Sequence, residues 1–315
     1  MVKVAIAGGS GNVASEIIDG ILAKSKHEVV VLTRQNTLKN TVAGIQYVIV
    51  DYFDKEHLVT TLRGIDVVLS FLVVHTDIGN VVQRNLIDAC IEAGVKRFAP
   101  SEWAVKNNSG ISSYENKDEV AKYLAEINKD KKVLEYCLFQ PSFFLDYFAH
   151  PYSCAKTLIT WPFFIDYENR RAMILEDGLQ PIALTCIEDV AAVVAEALDY
   201  EGEWPAVGGM RGTSTTLREL ITLGEELRGG PFEIERVSAA DIEAGQLKTS
   251  WVPPMTHPVI PVEEREVFSK EFVIMLMLGI LRGAWDVSDE WNKLLPQYEF
   301  TSAEEYLRKA WEGKP

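Results

Sequence analysis

The sequence predicts an α/β protein: a doubly wound parallel sheet with a smaller C-terminal region attached. Short β-branched runs alternate with amphipathic helical stretches through the first 140 residues, the pattern of strand-helix-strand units that builds a parallel sheet with helices on both faces. The first run, residues 2–7, passes directly into Gly8-Gly9-Ser10-Gly11-Asn12-Val13-Ala14, and Ile17, Ile18, Ile21 and Leu22 follow at helical spacing. Past Pro141 the character changes. Aromatic residues crowd 143–164, prolines and tryptophans become frequent, and helices are separated by longer loops.

The glycine turn has the form of a dinucleotide site in a Rossmann-like sheet. Gly8 can take the backbone angles of a tight strand-to-helix turn. Gly11 has no side chain to block a pyrophosphate approaching the amides at the helix N-terminus, and Ala14 is small enough for the helix to pack on the strand. Residues Gly8, Gly9, Ser10, Gly11, Asn12 and Val13 are therefore assigned to the cofactor. The second strand, 28–32, ends in Thr33-Arg34, where an NAD site would carry an acidic side chain for the ribose 2′-hydroxyl. A guanidinium there can grip a 2′-phosphate and stack on adenine, so Arg34 points to NADP(H).

The remaining elements follow in order. A third strand at 46–50 ends at Asp51, a short helix covers 56–62, and the apolar run 66–72 is the fourth strand. A helix at 79–93 leads to a fifth strand at 96–101, then come a polar loop, a helix at 114–128 and a sixth strand at 134–140. In an open parallel sheet the ligand crevice lies at the carboxyl ends of the strands, so the loops after Phe71, Ser101 and Gln140 should face the nicotinamide end. Ser70, Phe71 and Phe144 are placed against the cofactor on this ground. Residues 1–150 form the expected NADP-binding unit, with a return segment near 185–200, and 151–315 the expected substrate-binding region.

Composition narrows the function. With 315 residues, 47% of them hydrophobic, the chain can build a proper core, and a formal charge of -15 argues against nucleic acid or an anionic membrane as partner. The longest apolar stretch, 272–281, is about half of a membrane span. Met1-Val2-Lys3 enters the first strand without a leader, so a cytoplasmic monomer or homodimer is expected. The four cysteines show no paired short spacing and read as reduced core thiols. The five histidines are scattered, so no metal site is expected, and no Gly-x-Ser-x-Gly elbow suggests a serine hydrolase.

A reductase of this fold needs a proton donor near the nicotinamide. The Tyr-x-x-x-Lys match at Tyr152 to Lys156 falls after the sixth strand and is discounted. Between the fifth and sixth strands stand Ser101, Glu102, Tyr114, Lys117, Lys122 and Tyr123. Tyr114 and Lys117 are one helical turn apart and share a face. A lysine in a dry crevice loses solvation for its charged form and becomes able to exchange a proton near neutral pH, so Lys117 is the expected catalytic residue. His75, Tyr114, Phe143, Tyr147 and Trp161 are expected to meet a small, flat aromatic substrate, with Phe144, Phe148 and the stretch around Met275 closing the pocket.

These residues also resemble a family. The Gly8 to Ala14 turn, Leu32-Thr33-Arg34, Gly64-Ile65-Asp66-Val67-Val68, the run from Ala93 to Trp103 with its Pro100-Ser101-Glu102, the Tyr114 to Val120 helix and the stretch from Pro296 to Leu307 are similar to the NmrA-like atypical short-chain dehydrogenases. Within them the likeness is to the isoflavone reductase and phenylcoumaran benzylic ether reductase group. The resemblance implies NADPH-dependent reduction of an isoflavone-, phenylpropanoid- or polyketide-like compound, with Lys117 at the position of the proton-transfer lysine. Ala14, Trp103-Ala104 and Ala121 depart from the usual glycine, Phe-Gly and arginine, and the charged 128–132 stretch resembles the fungal branch. An NADP-binding redox sensor without turnover and a non-redox isomerase or cyclase are the alternatives. If Arg34 reads the 2′-phosphate, Arg34→Ala should weaken NADPH binding by roughly 1.5–3 kcal/mol and leave NADH binding unchanged, as measured by titrating both cofactors.

Overall fold

The computed structural model describes residues 1–34 and 42–315. Its elements run β1 (Lys3–Ala7), α1 (Asn12–Ala23), β2 (Glu28–Thr33), β3 (Ile45–Ile49), α2 (Lys55–Leu62), β4 (Val67–Ser70), α3 (Val81–Ala93), β5 (Arg97–Ala99), α4 (Glu115–Ile127), β6 (Glu135–Tyr136), β7 (Leu138–Gln140), β8 (Phe143–Phe144), β9 (Ile165–Asp166), β10 (Arg171–Leu175) and β11 (Pro181–Thr185). They continue with α5 (Ile187–Asp199), β12 (Val207–Gly209), β13 (Thr213–Thr216), α6 (Leu217–Arg228), β14 (Glu233–Val237), α7 (Ala239–Glu243), α8 (Arg265–Leu281), α9 (Glu290–Leu294) and α10 (Ala303–Trp311).

The main sheet has the order β3-β2-β1-β4-β5-β6 with every pair parallel. Ala7 at the end of β1 lies level with Leu32 and Ser70 on its two neighbours, so the chain reverses its order at the carboxyl end of β1, where such sheets bind ligands. The central strands are buried on both faces. One core holds Val4, Ile6, Val29 and Val31 against α1 and α5; a second holds Ala5, Val30, Leu32 and Val68 against α2, α3 and α4. This two-sided burial explains why the strands read as unbroken apolar runs.

The expected return segment is α5, which packs directly on α1. A Cβ on Gly20 would stand 2.9 Å from the Ala191 Cβ and 3.0 Å from its carbonyl, so glycine is what lets the two helices come this close. The expected sixth strand is split. Glu135 and Tyr136 pair with β5, whereas Leu138 to Gln140 pair with β12. The cause lies at Cys137 and Gly208, because a Cβ on Gly208 would fall 2.3 Å from Cys137 Sγ and 2.4 Å from Trp291 Nε1. Only a bare glycine lets β12 lie alongside.

The C-terminal region folds around a third core in which Phe143, Phe164, Tyr167, Leu184, Trp285 and Tyr306 are all buried. Its small sheets, β13-β11-β8 and β14-β10-β9, bring β8 against β11, and α8 packs across it. No helix among the described residues is long and apolar enough to cross a membrane. Cys90, Cys137 and Cys186 are buried as expected, but Cys154 is exposed, because it lies on an irregular surface segment rather than in an element. Gly20→Val should cost about 1–3 kcal/mol through overpacking of α1 on α5, seen as a lowered Tm with the fold retained.

Candidate active site

The site begins at the first turn. Gly8 has φ +77°, and a Cβ there would lie 2.8 Å from both the carbonyl carbon and oxygen of Phe71. Glycine is required twice over, by conformation and by the crossing chain. A Cβ on Gly9 would press on Val31 at 2.8 Å, but one on Gly11 would meet nothing nearer than the Gly8 carbonyl at 3.5 Å. Packing within the protein therefore does not explain Gly11, whereas close approach of a ligand does. Gly11 is the N-cap of α1 and supplies no side-chain cap, so the first helical amides face outward. Buried Tyr52 braces the turn: its hydroxyl donates to the Leu32 carbonyl at 3.3 Å and receives the Gly8 amide.

Ser10 is exposed at the apex of the turn and Val13 is half-buried, while Asn12 turns its amide to the Thr157 carbonyl at 2.7 Å. Ala14 is fully buried beneath the helix. Arg34 is exposed immediately beyond β2. Small residues at the turn, outward amides and a cation at the neighbouring strand end together fit an anionic dinucleotide.

The floor of the crevice comes from β4 and β5. Ser70 is buried and exchanges hydrogen bonds with Gln83, and Phe71 donates its amide to the Ala7 carbonyl at 2.8 Å. Beyond β5 the chain turns at Trp103, whose φ is +51°. The Trp103 amide donates to the Phe139 carbonyl at 3.0 Å, its indole Nε1 donates to the Ser70 carbonyl at 2.8 Å, and its ring stacks on Phe71 at 4.5 Å and 12°.

Lys117, on the first turns of α4, reaches this segment. Its Nζ donates to the Glu102 main-chain carbonyl and lies 4.9 Å from the centre of the Tyr114 ring. Burial pulls the Lys117 amine below the ordinary lysine range, with the Glu102 charge opposing that pull. Glu102 is only 2% exposed. Burial raises its carboxyl to about 7 despite the Lys117 charge and a hydrogen bond from Asn107. Burial and the Glu102 charge push the Tyr114 phenol up to about 12, so it stays protonated. The pairing of Tyr114 with Lys117 was visible in the sequence. The supporting amides were not: Asn107 Nδ2 donates to Glu102 Oε2 and Asp118 Oδ1, each at 3.2 Å, and Gln140 Nε2 donates to Asn107 Oδ1 at 2.7 Å.

An aromatic wall continues from Tyr114. Half-buried Tyr147 has its phenol raised by burial, by Asp146 and by Tyr114, and its ring lies 4.6 Å from Trp161. Trp161 in turn meets His257 at 5.9 Å and Phe272 of α8 at 6.1 Å. His257 was not foreseen, because it lies in an irregular stretch with no periodic signal. Phe144 is buried beside Tyr147 at 6.2 Å. Phe143 turns the other way and stacks on Trp285 at 3.5 Å inside the C-terminal core, where Phe148 also lies. His75 is exposed on the loop after β4.

The other candidates lie apart. Tyr123 donates to Asp88 on the far side of α4, Lys122 is exposed, and Ser101 is half-buried beside Glu102. Tyr152 packs on Trp311 while Lys156 reaches Asp19, so their sequence spacing does not converge on Lys117. Among the described residues no group of three or more metal-ligating side chains comes together.

The sequence profile of the NmrA-like family matches residues 2–307. The chain belongs to the NmrA-like family. Oxidoreductase swnN of Metarhizium robertsii is 26% identical to this NmrA-like chain across 99% of it and 98% of the relative. Phenylcoumaran benzylic ether reductase POP1 of Populus trichocarpa is 24% identical over 98% of both chains. Among solved structures, AtPrR2 with NADP+ and (+)-pinoresinol superposes with a TM-score of 0.71 at 21% identity, covering 98% of each chain. This last likeness establishes that the NmrA-like chain shares that fold.

The raised Glu102 carboxyl links the site to stability. The folded state holds the proton more tightly than the unfolded chain does, so this contribution is full below the ordinary carboxylate range and is lost as pH rises through about 7. Relative to Glu102→Gln, the unaltered protein should therefore lose Tm between about pH 5 and pH 8. Thermal melts of both proteins across that range test this.

Proposed function

We propose that the chain is an NADPH-dependent reductase of a small, flat aromatic or conjugated compound, with Lys117 as the proton donor. The observation that carries this reading is the half-buried Lys117 ammonium, tethered to a segment that meets the glycine turn through Trp103 and Phe71. A crevice that joins an outward helix terminus to a desolvated acid suits reduction coupled to protonation. The oxidoreductase names of the relatives, and the NADP+ and (+)-pinoresinol in the AtPrR2 structure, support it.

When bound, the dinucleotide supplies the two-electron reducing equivalent. The chain's own residues do the rest. Gly8, Gly9 and Gly11 let the main chain approach the pyrophosphate, with Ser10, Asn12 and Val13 completing the turn, and Arg34 meets the 2′-phosphate. Phe71 and Phe144 border the nicotinamide side, whereas Ser70, fully buried and bonded to Gln83, supports the strand end from beneath. Residues 1–150, with the return segment near 185–200, hold the cofactor, while residues beyond 150 bound the substrate.

Tyr114, Tyr147 and Trp161, joined by His257, receive the flat ring and exclude water, with His75 at the entrance. Desolvation loosens the Lys117 proton, and the Glu102 carbonyl aims the amine so that the proton passes to the substrate atom where negative charge develops. The half-buried Tyr114 ring beside the ammonium stabilises its charged form without competing for the proton.

Lys117→Met should lower kcat by about 10²–10⁴-fold with (+)-pinoresinol or a comparable aromatic acceptor, while NADPH affinity stays the same. In the unaltered enzyme kcat should fall as pH rises through the depressed lysine pKa, since the amine must be protonated to act. Stoichiometric loss of NADPH absorbance separates this reading from a sensor or an isomerase.

A further inference from the structure

Glu102 carries more than a main-chain anchor. Its carbonyl holds the Lys117 amine, but its carboxyl group lies buried in the same place and, among the described residues, receives one hydrogen bond, from Asn107 to Oε2. Oε1 has no hydrogen-bond partner among the described residues. An acid so placed is a poor structural choice, because a buried carboxylate needs several donors to offset its lost solvation. It is suited to a group that gains and loses a proton rather than one that holds a permanent charge.

The carboxyl also has an outlet. Asn107 bridges Glu102 to Asp118 and accepts from Gln140, and Asn107, Asp118 and Gln140 line an open cleft of about 690 Å³ between α4 and the β6, β7 and β12 strands. Neither Lys117 nor Tyr114 lines that cleft. The amine is held by the Glu102 carbonyl, whereas the Glu102 carboxyl is joined through its bond from Asn107 to a residue that lines the cleft.

We propose that Glu102 is a positioning and relay residue that returns a proton to Lys117 after each turnover, drawing it from solvent through the cleft behind α4. The proposal rests on Lys117 being the proton donor. The balance is simple. An N–H bond of Lys117 breaks as its proton passes to the substrate, leaving the neutral amine. The Glu102 O–H bond then breaks and a new N–H bond forms, and the resulting carboxylate is reprotonated by a solvent proton carried on water that enters past Asn107 from the cleft. One solvent proton enters per reduction, which matches the single proton that reduction by NADPH consumes.

The surroundings agree with this role. Among the described residues the charged and titratable groups coupled to Glu102 are Lys117, Asp118 and Tyr114, all on α4 or its entry turn. Asp118 accepts the Asn108 amide at 2.8 Å as well as Asn107, so its carboxylate is held by donors of its own. Burial raises Glu102 to about 7, which places its two forms within reach of each other at neutral pH.

Proton exchange at Lys117 tests the idea without a substrate. With lysine ¹⁵N-labelled in the full chain, the exchange of the Lys117 ζ protons with water is measured near about pH 6, where a free lysine is fully charged. Glu102→Gln should slow that exchange by about tenfold or more, and Glu102→Asp, which keeps an acid at the position, should restore most of it. Asn107→Leu, which closes the cleft side, should slow it with Glu102 in place. Unchanged exchange in Glu102→Gln overturns the proposal, and equal slowing in Glu102→Gln and Glu102→Asp reduces the role to packing and also overturns it. If Glu102→Gln does not fold, the Asn107→Leu protein decides, with unchanged exchange counting against the route. Turnover surviving in Lys117→Met would instead sink the donor role itself, a separate failure that the exchange rates do not share.

Discussion

The backbone at Trp103 is the constraint on which the site depends. A bulky side chain in the left-handed region costs roughly 1–2 kcal/mol, and the chain would not hold it there without compensation. The compensation is local: two hydrogen bonds to the Phe139 and Ser70 carbonyls, and two stacked rings, Phe71 at 4.5 Å and Phe139 at 5.3 Å. Turning the chain at this residue sends Glu102 inward to Lys117 and the indole outward to β4. The amine and the glycine turn are thereby referred to one short segment.

That segment also belongs to the core. Phe71, Trp103, Phe139 and Trp291 form a nearly parallel stack, with successive tilts of 12°, 8° and 2°, that crosses from the ligand crevice to α9. Offset aromatic contacts of this kind add to ordinary burial, so the rings that position the crevice also dock the C-terminal helices onto the sheet. The narrow fit at Gly208, against Cys137 and Trp291, closes the same stack at its far end. Stability and site geometry are here two properties of one set of contacts.

How much of this could be read in the residues depends on range. Strands buried on both faces, and helices such as α4 with a one-turn Tyr114–Lys117 spacing, carry local periodic signals, and they lie within a few residues of where the pattern put them. The split at Cys137 left no such mark, because strand pairing depends on Gly208, far along the chain. Asn107 and Gln140 are 33 residues apart and meet only after β5 and β7 are in place. Aromatic crowding between 143 and 164 could not separate wall from core, since that choice follows from strand alternation: β8 pairs with β11, which turns Phe143 inward onto Trp285 and leaves Phe144 beside Tyr147.

The glycine turn and the aromatic wall are also tied directly. Asn12 bonds to the Thr157 carbonyl, the Thr157 hydroxyl donates back to the Asn12 carbonyl at 3.1 Å, and buried Glu16 accepts the Thr157 and Leu158 amides, only a few residues before Trp161. Two positions on the first helix, Asn12 and Glu16, thus carry part of the specification for the segment that leads to the aromatic wall. In evolutionary terms the aromatic wall is not an interchangeable module: a lineage that replaces residues 155–161 inherits a buried glutamate on α1 that still needs two amide donors. Change in this segment must therefore proceed around that clasp or alter both of its halves together.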